Sequence, residues 1–195
     1  SLPATAAAPL TAPRALYDTP RDVAWIVNSQ VNFCAKAFLA CPHSGTDTPA
    51  LAVLANLLRS GFLHREIREK GGAYGGGATF DGNTGVFGYF SYRDPGLQGT
   101  LDTFDRAPDW AFDAIADDHL RESAILGVIG AMDKPGSPAG EAIGAFHGRL
   151  YGRDGNFLRN LRQQVLGVTA EDIRVAIERY LHPSAGRTAV VLGAR

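Results

Sequence analysis

The sequence predicts an α+β domain, an antiparallel sheet with several helices packed on one of its faces. Three observations carry this. Alternating segments rich in Val, Ile, Phe and Trp occupy residues 22–38 and 73–92. Between them, Leu51, Leu54, Leu58 and Phe62 recur at helical spacing. After Asp94-Pro95 the spacing is helical almost to the end, where Thr188 to Leu192 reads as one short final strand.

The elements follow in order. Residues 1–19 are Ala/Pro/Thr-rich, with prolines at 3, 9 and 13 that stop helix and ladder alike. They read as a linker from a preceding domain, or as an ordinary frayed terminus. Residues 20–195 form one domain. Asp22–Val27 and Val31–Phe38 are strands, with Asn28-Ser29 as the break. A helix runs from Thr48 to about Lys70, with Asp47 or Thr48 as its cap and Pro49 in its first turn. Gly61 weakens its interior by roughly 1 kcal/mol relative to Ala, a cost that close packing against a neighbour would offset. Gly71-Gly72 stops it, because a left-handed residue is needed there. Ala73–Phe80 and Gly85–Tyr92 make a hairpin around Asp81-Gly82-Asn83-Thr84. Helices are expected near 97–116, 118–132, 138–151, 154–166 and 170–181. Pro108 should kink or divide the first, Ser137-Pro138 opens the third, and Thr169 with Asp172 forms a capping box.

Composition narrows the function. Of 195 residues, 45% are hydrophobic, enough for one sizeable core. The 19 Lys and Arg balance 20 Asp and Glu, so there is no basic footprint for nucleic acid or an anionic membrane. No apolar run reaches the roughly 20 residues of a membrane-spanning helix. Cys34 and Cys41 make no disulfide framework and fit a reducing, soluble compartment, cytoplasm or organelle matrix.

Several chemistries lack their residues. The histidines at 43, 64, 119, 147 and 182 form neither H-E-x-x-H nor its inverse. His64-Arg65-Glu66 resembles the H-x-E of zinc deaminases but has no P-C-x-x-C, so His64 reads as a helix-surface residue. No cofactor is expected within this chain. The glycines of REKGGAYGGG, Arg68 to Gly77, suggest a phosphate cradle, yet they follow a helix and enter a strand. A helix C-terminus carries partial negative charge and repels phosphate. No G-x-S-x-G elbow is present. By residue type alone, Arg68 is a solvated helix residue and Tyr74 a half-buried strand residue.

Leu63 to Gly75 (LHREIREKGGAYG) resembles the C-terminal-half motif of the pitrilysin/insulinase-type zinc metallopeptidases, closest to the presequence-protease subgroup. The resemblance continues at Ser91-Tyr92-Arg93-Asp94-Pro95, at Asp133-Lys134-Pro135 and at Ser137 to Ala142, and so spans most of the chain from residue 20 onward. It implies a non-catalytic C-terminal domain that closes a chamber over an N-terminal, zinc-binding domain of the same polypeptide. It assigns Arg68 and Tyr74 as donors to the scissile carbonyl of an extended peptide, with Gly75, Gly76 and Gly77 clearing room for that peptide. A phenol and a guanidinium suit an oxygen that gains negative charge. Phe80, Phe87, Tyr89, Phe90 and Tyr92 alternate along the hairpin, some facing the core and others open to a chamber wall. Glu69, Lys70 and Lys134 read as solvated charges. Two alternatives stay open: a catalytically dead scaffold subunit of the same fold, and a phosphate-binding module.

Overall fold

The computed structural model describes residues 22–193; the segment 1–19, read above as a linker, lies outside the described residues. Strands β1 (Val23–Val27) and β2 (Asn32–Leu39) precede helix α1 (Thr48–Leu58), which continues as a π-helical segment (Arg59–Lys70). The hairpin β3 (Gly75–Asp81) and β4 (Val86–Asp94) follows. Then come α2 (Gln98–Ala114), α3 (Asp118–Met132), α4 (Pro138–Leu150), α5 (Gly155–Leu166) and α6 (Ala170–Tyr180). Strand β5 (Arg187–Gly193) closes the described chain.

The strands form one sheet in the order β1-β5-β2-β4-β3. The expected antiparallel pattern holds for β2 with β4, β2 with β5 and β3 with β4, whereas β1 pairs with β5 in parallel and makes the sheet mixed. The physical reason lies in the connection 28–31. It arches over the end of β5 instead of forming a hairpin turn, so close that a side chain at Gly193 would meet the Ser29 carbonyl oxygen at 2.4 Å. Asn32 secures this corner by accepting from the Gly193 N–H (3.2 Å) and donating to the Gly96 carbonyl (3.1 Å).

One face of the sheet carries the core. Cys34 and Phe38 of β2, and Phe87 and Tyr89 of β4, are buried with Leu51, Leu54, Leu57 and Leu58 of α1. Each such fully buried leucine contributes about 1.5–3 kcal/mol. The alternate positions along the strands point away from the helices, as a period of two requires. Phe87 and Tyr89 are therefore core residues, while Phe90 and Tyr92 belong to the opposite face.

The first helix differs from expectation in two respects. Asp47 stands at its N-cap but makes no cap bond; its carboxylate accepts from Arg179 (2.6 Å) and from the Tyr180 hydroxyl (2.8 Å) of α6. Thr48 donates instead to the Pro42 carbonyl (3.0 Å). From Arg59 onward the winding is π-helical. The switch coincides with two local features: the Ser60 hydroxyl takes the Asn56 carbonyl (2.8 Å), and the Trp110 indole lies where a Gly61 Cβ would be, 2.5 Å from its ring edge. Side-chain capture of a helical carbonyl bends helices, and π-turns collect at such interruptions. Gly61 is thus compensated by the packing expected of it, and Trp110 stacks on Phe62 at 5.2 Å.

Helix α2 runs unbroken through Pro108, so the division expected there does not occur. Pro108 is buried beside Ala107 and Ala111, and this packing offsets the missing backbone bond. The remaining caps follow the sequence. Ser137 accepts from the Gly140 N–H (3.1 Å), and Thr169 and Asp172 form a reciprocal capping box. Cys34 and Cys41 are both free thiols.

Candidate functional site

The reversal between the π-segment and β3 sets the site. The N–H of Gly71 donates to Glu66 O (3.0 Å), that of Gly72 to Arg68 O (3.1 Å) and that of Ala73 to Ile67 O (3.1 Å). Gly72 adopts φ +78°, the left-handed conformation that residues with a Cβ avoid. The chain thereby folds back over its last helical turn, and Arg68 and Tyr74 emerge at the two sides of one turn. No hydrogen bond or ring contact joins their side chains directly. Arg68 is exposed, and its Nη1 lies 3.3 Å from His64 Nε2. Tyr74 is 63% exposed, and its phenol makes no hydrogen bond among the described residues.

The Tyr74 ring is nevertheless held. Its backbone N–H donates to Arg93 O (3.2 Å), its ring lies 5.5 Å from that of Tyr92, and the Arg93 guanidinium stands 5.6 Å from its centroid. A cation over an aromatic face and an aromatic pair each contribute about 0.5–1 kcal/mol or more. Arg93 reaches this place through a β-bulge. Asn32 pairs with Asp94 and Phe33 with Tyr92, which leaves Arg93 unpaired, at φ +50°. A left-handed non-glycine residue costs about 1–2 kcal/mol. The bulge turns Asp94 inward, where its buried carboxylate accepts from the Gly96 N–H (2.8 Å) and the Thr100 hydroxyl (2.7 Å). Bulges of this kind re-aim side chains beside functional sites. Sequence reasoning singled out the segment Ser91 to Pro95 but gave Arg93 no role, because no glycine marks the bulge.

Gly75, Gly76 and Gly77 open β3, an edge strand. The room they leave is taken by this chain itself. A Cβ at Gly75 would meet the Tyr92 ring at 2.5 Å, one at Gly76 would meet Ile67 Cγ2 at 2.8 Å, and one at Gly77 would meet Arg59 Cγ at 3.0 Å.

The register extends the site across the open face. Trp25 pairs with Val191, Val191 with Phe33, Phe33 with Tyr92, and Tyr92 with Gly75. These positions form one row through all five strands, ending beside Tyr74. Trp25 is 53% exposed, and Phe33 and Tyr92 are each 39% exposed. An apolar row of this kind is the sort of surface that large partners or ligands cover.

The charged neighbours are paired. Lys70 donates to Glu66 (2.8 Å), and this bond, with help from Arg65, holds the Glu66 carboxyl below its usual range against the opposing effect of burial. Glu69 Oε1 lies 3.3 Å from His64 Nδ1. Among the described residues, no three His, Cys, Asp or Glu side chains come together as a metal-ligand set. Among the same residues, no helix is long and apolar enough to cross a membrane.

The sequence profile described as "PreP C-terminal domain" matches residues 22–180. The chain belongs to the PreP C-terminal domain family. The chain is 35% identical over 176 residues to a protein of Yarrowia lipolytica named "Presequence protease, mitochondrial". That match covers 90% of the chain but only 17% of the relative, so the chain spans about a sixth of that relative's length. In fold, the chain is similar to a protease from Helicobacter pylori, with TM-score 0.76 at 15% identity over 90% of this chain and 44% of that one. It is also similar to a peptidase M16 inactive domain from Pseudomonas fluorescens, with TM-score 0.69 at 16% identity over 91% of this chain and 45% of that one. The α+β architecture, and the family expected from Leu63–Gly75 with the later segments at Ser91–Pro95 and Asp133–Ala142, are both shown by these matches.

Proposed function

We propose that this domain is the non-catalytic C-terminal part of a zinc metalloendopeptidase that degrades peptides. Its open sheet face walls the substrate chamber, and its Arg68 and Tyr74 donate hydrogen bonds to the scissile carbonyl. The zinc belongs to an N-terminal domain of the same polypeptide. The relatives' names support proteolysis, and the short span of the match supports a larger whole. Two free thiols suit a reducing, soluble compartment such as cytoplasm or an organelle matrix.

One observation carries the proposal: two hydrogen-bond donors stand free of competing carboxylates at the end of an exposed aromatic row. As a peptide bond is attacked, its carbonyl oxygen gains negative charge. A phenol O–H and a guanidinium aimed at that oxygen stabilise the transition state more than the ground state. An acceptor already bound to either group would have to be displaced first. The Tyr74 phenol has none, and Arg68 meets only an imidazole. The ring contacts with Tyr92 and Arg93 orient the Tyr74 phenol before substrate arrives. Gly75 to Gly77 contribute to peptide binding through the backbone of edge strand β3, since their side-chain space is filled by Tyr92, Ile67 and Arg59. An extended peptide adds to such an edge through main-chain hydrogen bonds.

Tyr74→Phe in the full-length enzyme removes one donor and leaves the ring in place. We expect kcat to fall by about tenfold or more. An unchanged kcat would show that Tyr74 is structural and takes no part in stabilising the transition state.

A further inference from the structure

We propose that His64 is a positioning residue for Arg68, and that the π-helical winding of Arg59–Lys70 makes this possible. The inference rests on the proposed role of Arg68.

The imidazole of His64 lies between two side chains. Its Nε2 is 3.3 Å from Arg68 Nη1, and its Nδ1 is 3.3 Å from Glu69 Oε1. A guanidinium only donates, and an ionised carboxylate only accepts. The hydrogen bond with Arg68 therefore needs the lone pair on Nε2, which is the neutral ring with its proton on Nδ1, the side on which Glu69 stands at ion-pair distance. The protonated ring would turn a second N–H toward Arg68. The other neutral tautomer would set N–H against N–H on one side and a lone pair against a carboxylate on the other.

Winding explains how His64 comes to have both partners. In an α-helix, successive residues turn by about 100°, so residue i+4 stands nearly above residue i while residue i+5 has rotated well past it. Bonding from i to i+5 lowers the rotation per residue, so i+4 and i+5 flank residue i on its two sides. The bond from the Gly71 N–H to Glu66 O has this i+5 spacing. His64 can then meet Arg68 and Glu69 together, and Leu63 and Ile67 stay in the core.

The chemistry suits the task. A carboxylate partner would grip the guanidinium with two bonds and neutralise it. A neutral imidazole takes a single N–H, leaving the charge and the other donors for a substrate carbonyl. Glu69 stands on the Nδ1 side of the ring, where a carboxylate favours the tautomer with its proton on Nδ1.

The test uses the full-length polypeptide and steady-state cleavage of a fluorogenic peptide by His64→Ala, Arg68→Ala and the double variant. His64→Ala should lower kcat by about fivefold or more, because a misplaced group loses much of its effect. It should leave the melting temperature unchanged, and the double variant should be no slower than Arg68→Ala alone. His64→Gln, whose amide oxygen also accepts, should recover part of the loss. Full activity of His64→Ala, or losses that multiply in the double variant, would overturn the proposal. If Arg68→Ala itself proves neutral, the proposed function fails, and the contact is still decided by nitrogen NMR of the histidine-labelled protein. An Nδ1-protonated, neutral His64 is expected; an Nε2–H tautomer would overturn the inference.

Discussion

Gly75→Ala distinguishes two meanings of the glycine run. An added Cβ at this position would lie 2.5 Å from Tyr92 Cε1 and 2.6 Å from its Cζ and Oη. Carbon atoms rest about 3.5–4.0 Å apart, so the ring must retreat by about 1 Å. Tyr92 is partly exposed and can swing outward, but it then gives up its contact with Tyr74. Overpacking of this kind costs about 1–3 kcal/mol, and replacing a strand glycine returns about 0.5–1 kcal/mol. A net loss of up to about 2.5 kcal/mol follows, equivalent to a melting temperature lower by up to about 10 °C for a chain of this length. Urea denaturation followed by circular dichroism measures it. The same substitution in a Tyr92→Ala background removes the clash, so Gly75→Ala should there be neutral or stabilising by up to about 1 kcal/mol. Equal destabilisation in both backgrounds would show that Tyr92 is not what the glycine accommodates.

Three further outcomes follow from the same structure. Gly72→Ala meets nothing closer than Pro95 Cγ at 3.5 Å, so its cost is conformational, about 1–2 kcal/mol in urea denaturation, with a smaller loss for Gly72→Asn. Thr169→Ala dismantles the capping box of α6 and should cost about 1 kcal/mol in the same measurement; no loss would refute the cap's contribution. Burial first, with the Asp94 charge adding to it, pushes the Cys34 thiol up, and a neighbouring Ser91 only partly opposes this. A raised folded value favours the folded state while the thiol is protonated; that contribution is complete below about pH 8.5 and is lost as the pH rises through the folded value. Alkylation at pH 8 read by mass spectrometry should therefore label Cys41 well before Cys34, and equal labelling would refute it.

Periodicity and punctuation made most of the fold legible. Leucines at helical spacing, the Gly71-Gly72 stop and the Thr169–Asp172 pair all act within a few residues of themselves, and all appear where expected. What stayed hidden depends on distant partners. The Asp47 carboxylate leaves its local helix for Arg179 and Tyr180 on α6, an exchange with no local trace. The parallel pairing of β1 with β5 arises from where the last strand inserts. The positions of Arg68 and Tyr74 around a glycine turn were legible, but the side chains that hold them were not. Arg93 sits in a bulge that carries an arginine where glycine is the usual sign. His64 lies on the helix surface as expected, but α-helical spacing gave no sign that Glu69 would stand beside it.

The arch over the end of β5 also orders the steps by which this sheet can be assembled. Among the described residues, strand β1 pairs with β5 alone, and Asp22 accepts from the Thr188 N–H across 166 residues of sequence. The first strand described is therefore the last to find its neighbour. The β2–β4–β3 meander can zip up early, whereas closing the gap beside β2 waits for the C-terminal strand. Until then β1 and one edge of β2 expose unpaired backbone and the apolar side chains of Trp25, Ile26 and Phe33. Deleting β5 would thus do more than shorten the sheet: it would strand β1, break the row of residues that leads to Tyr74, and leave an edge prone to aggregation.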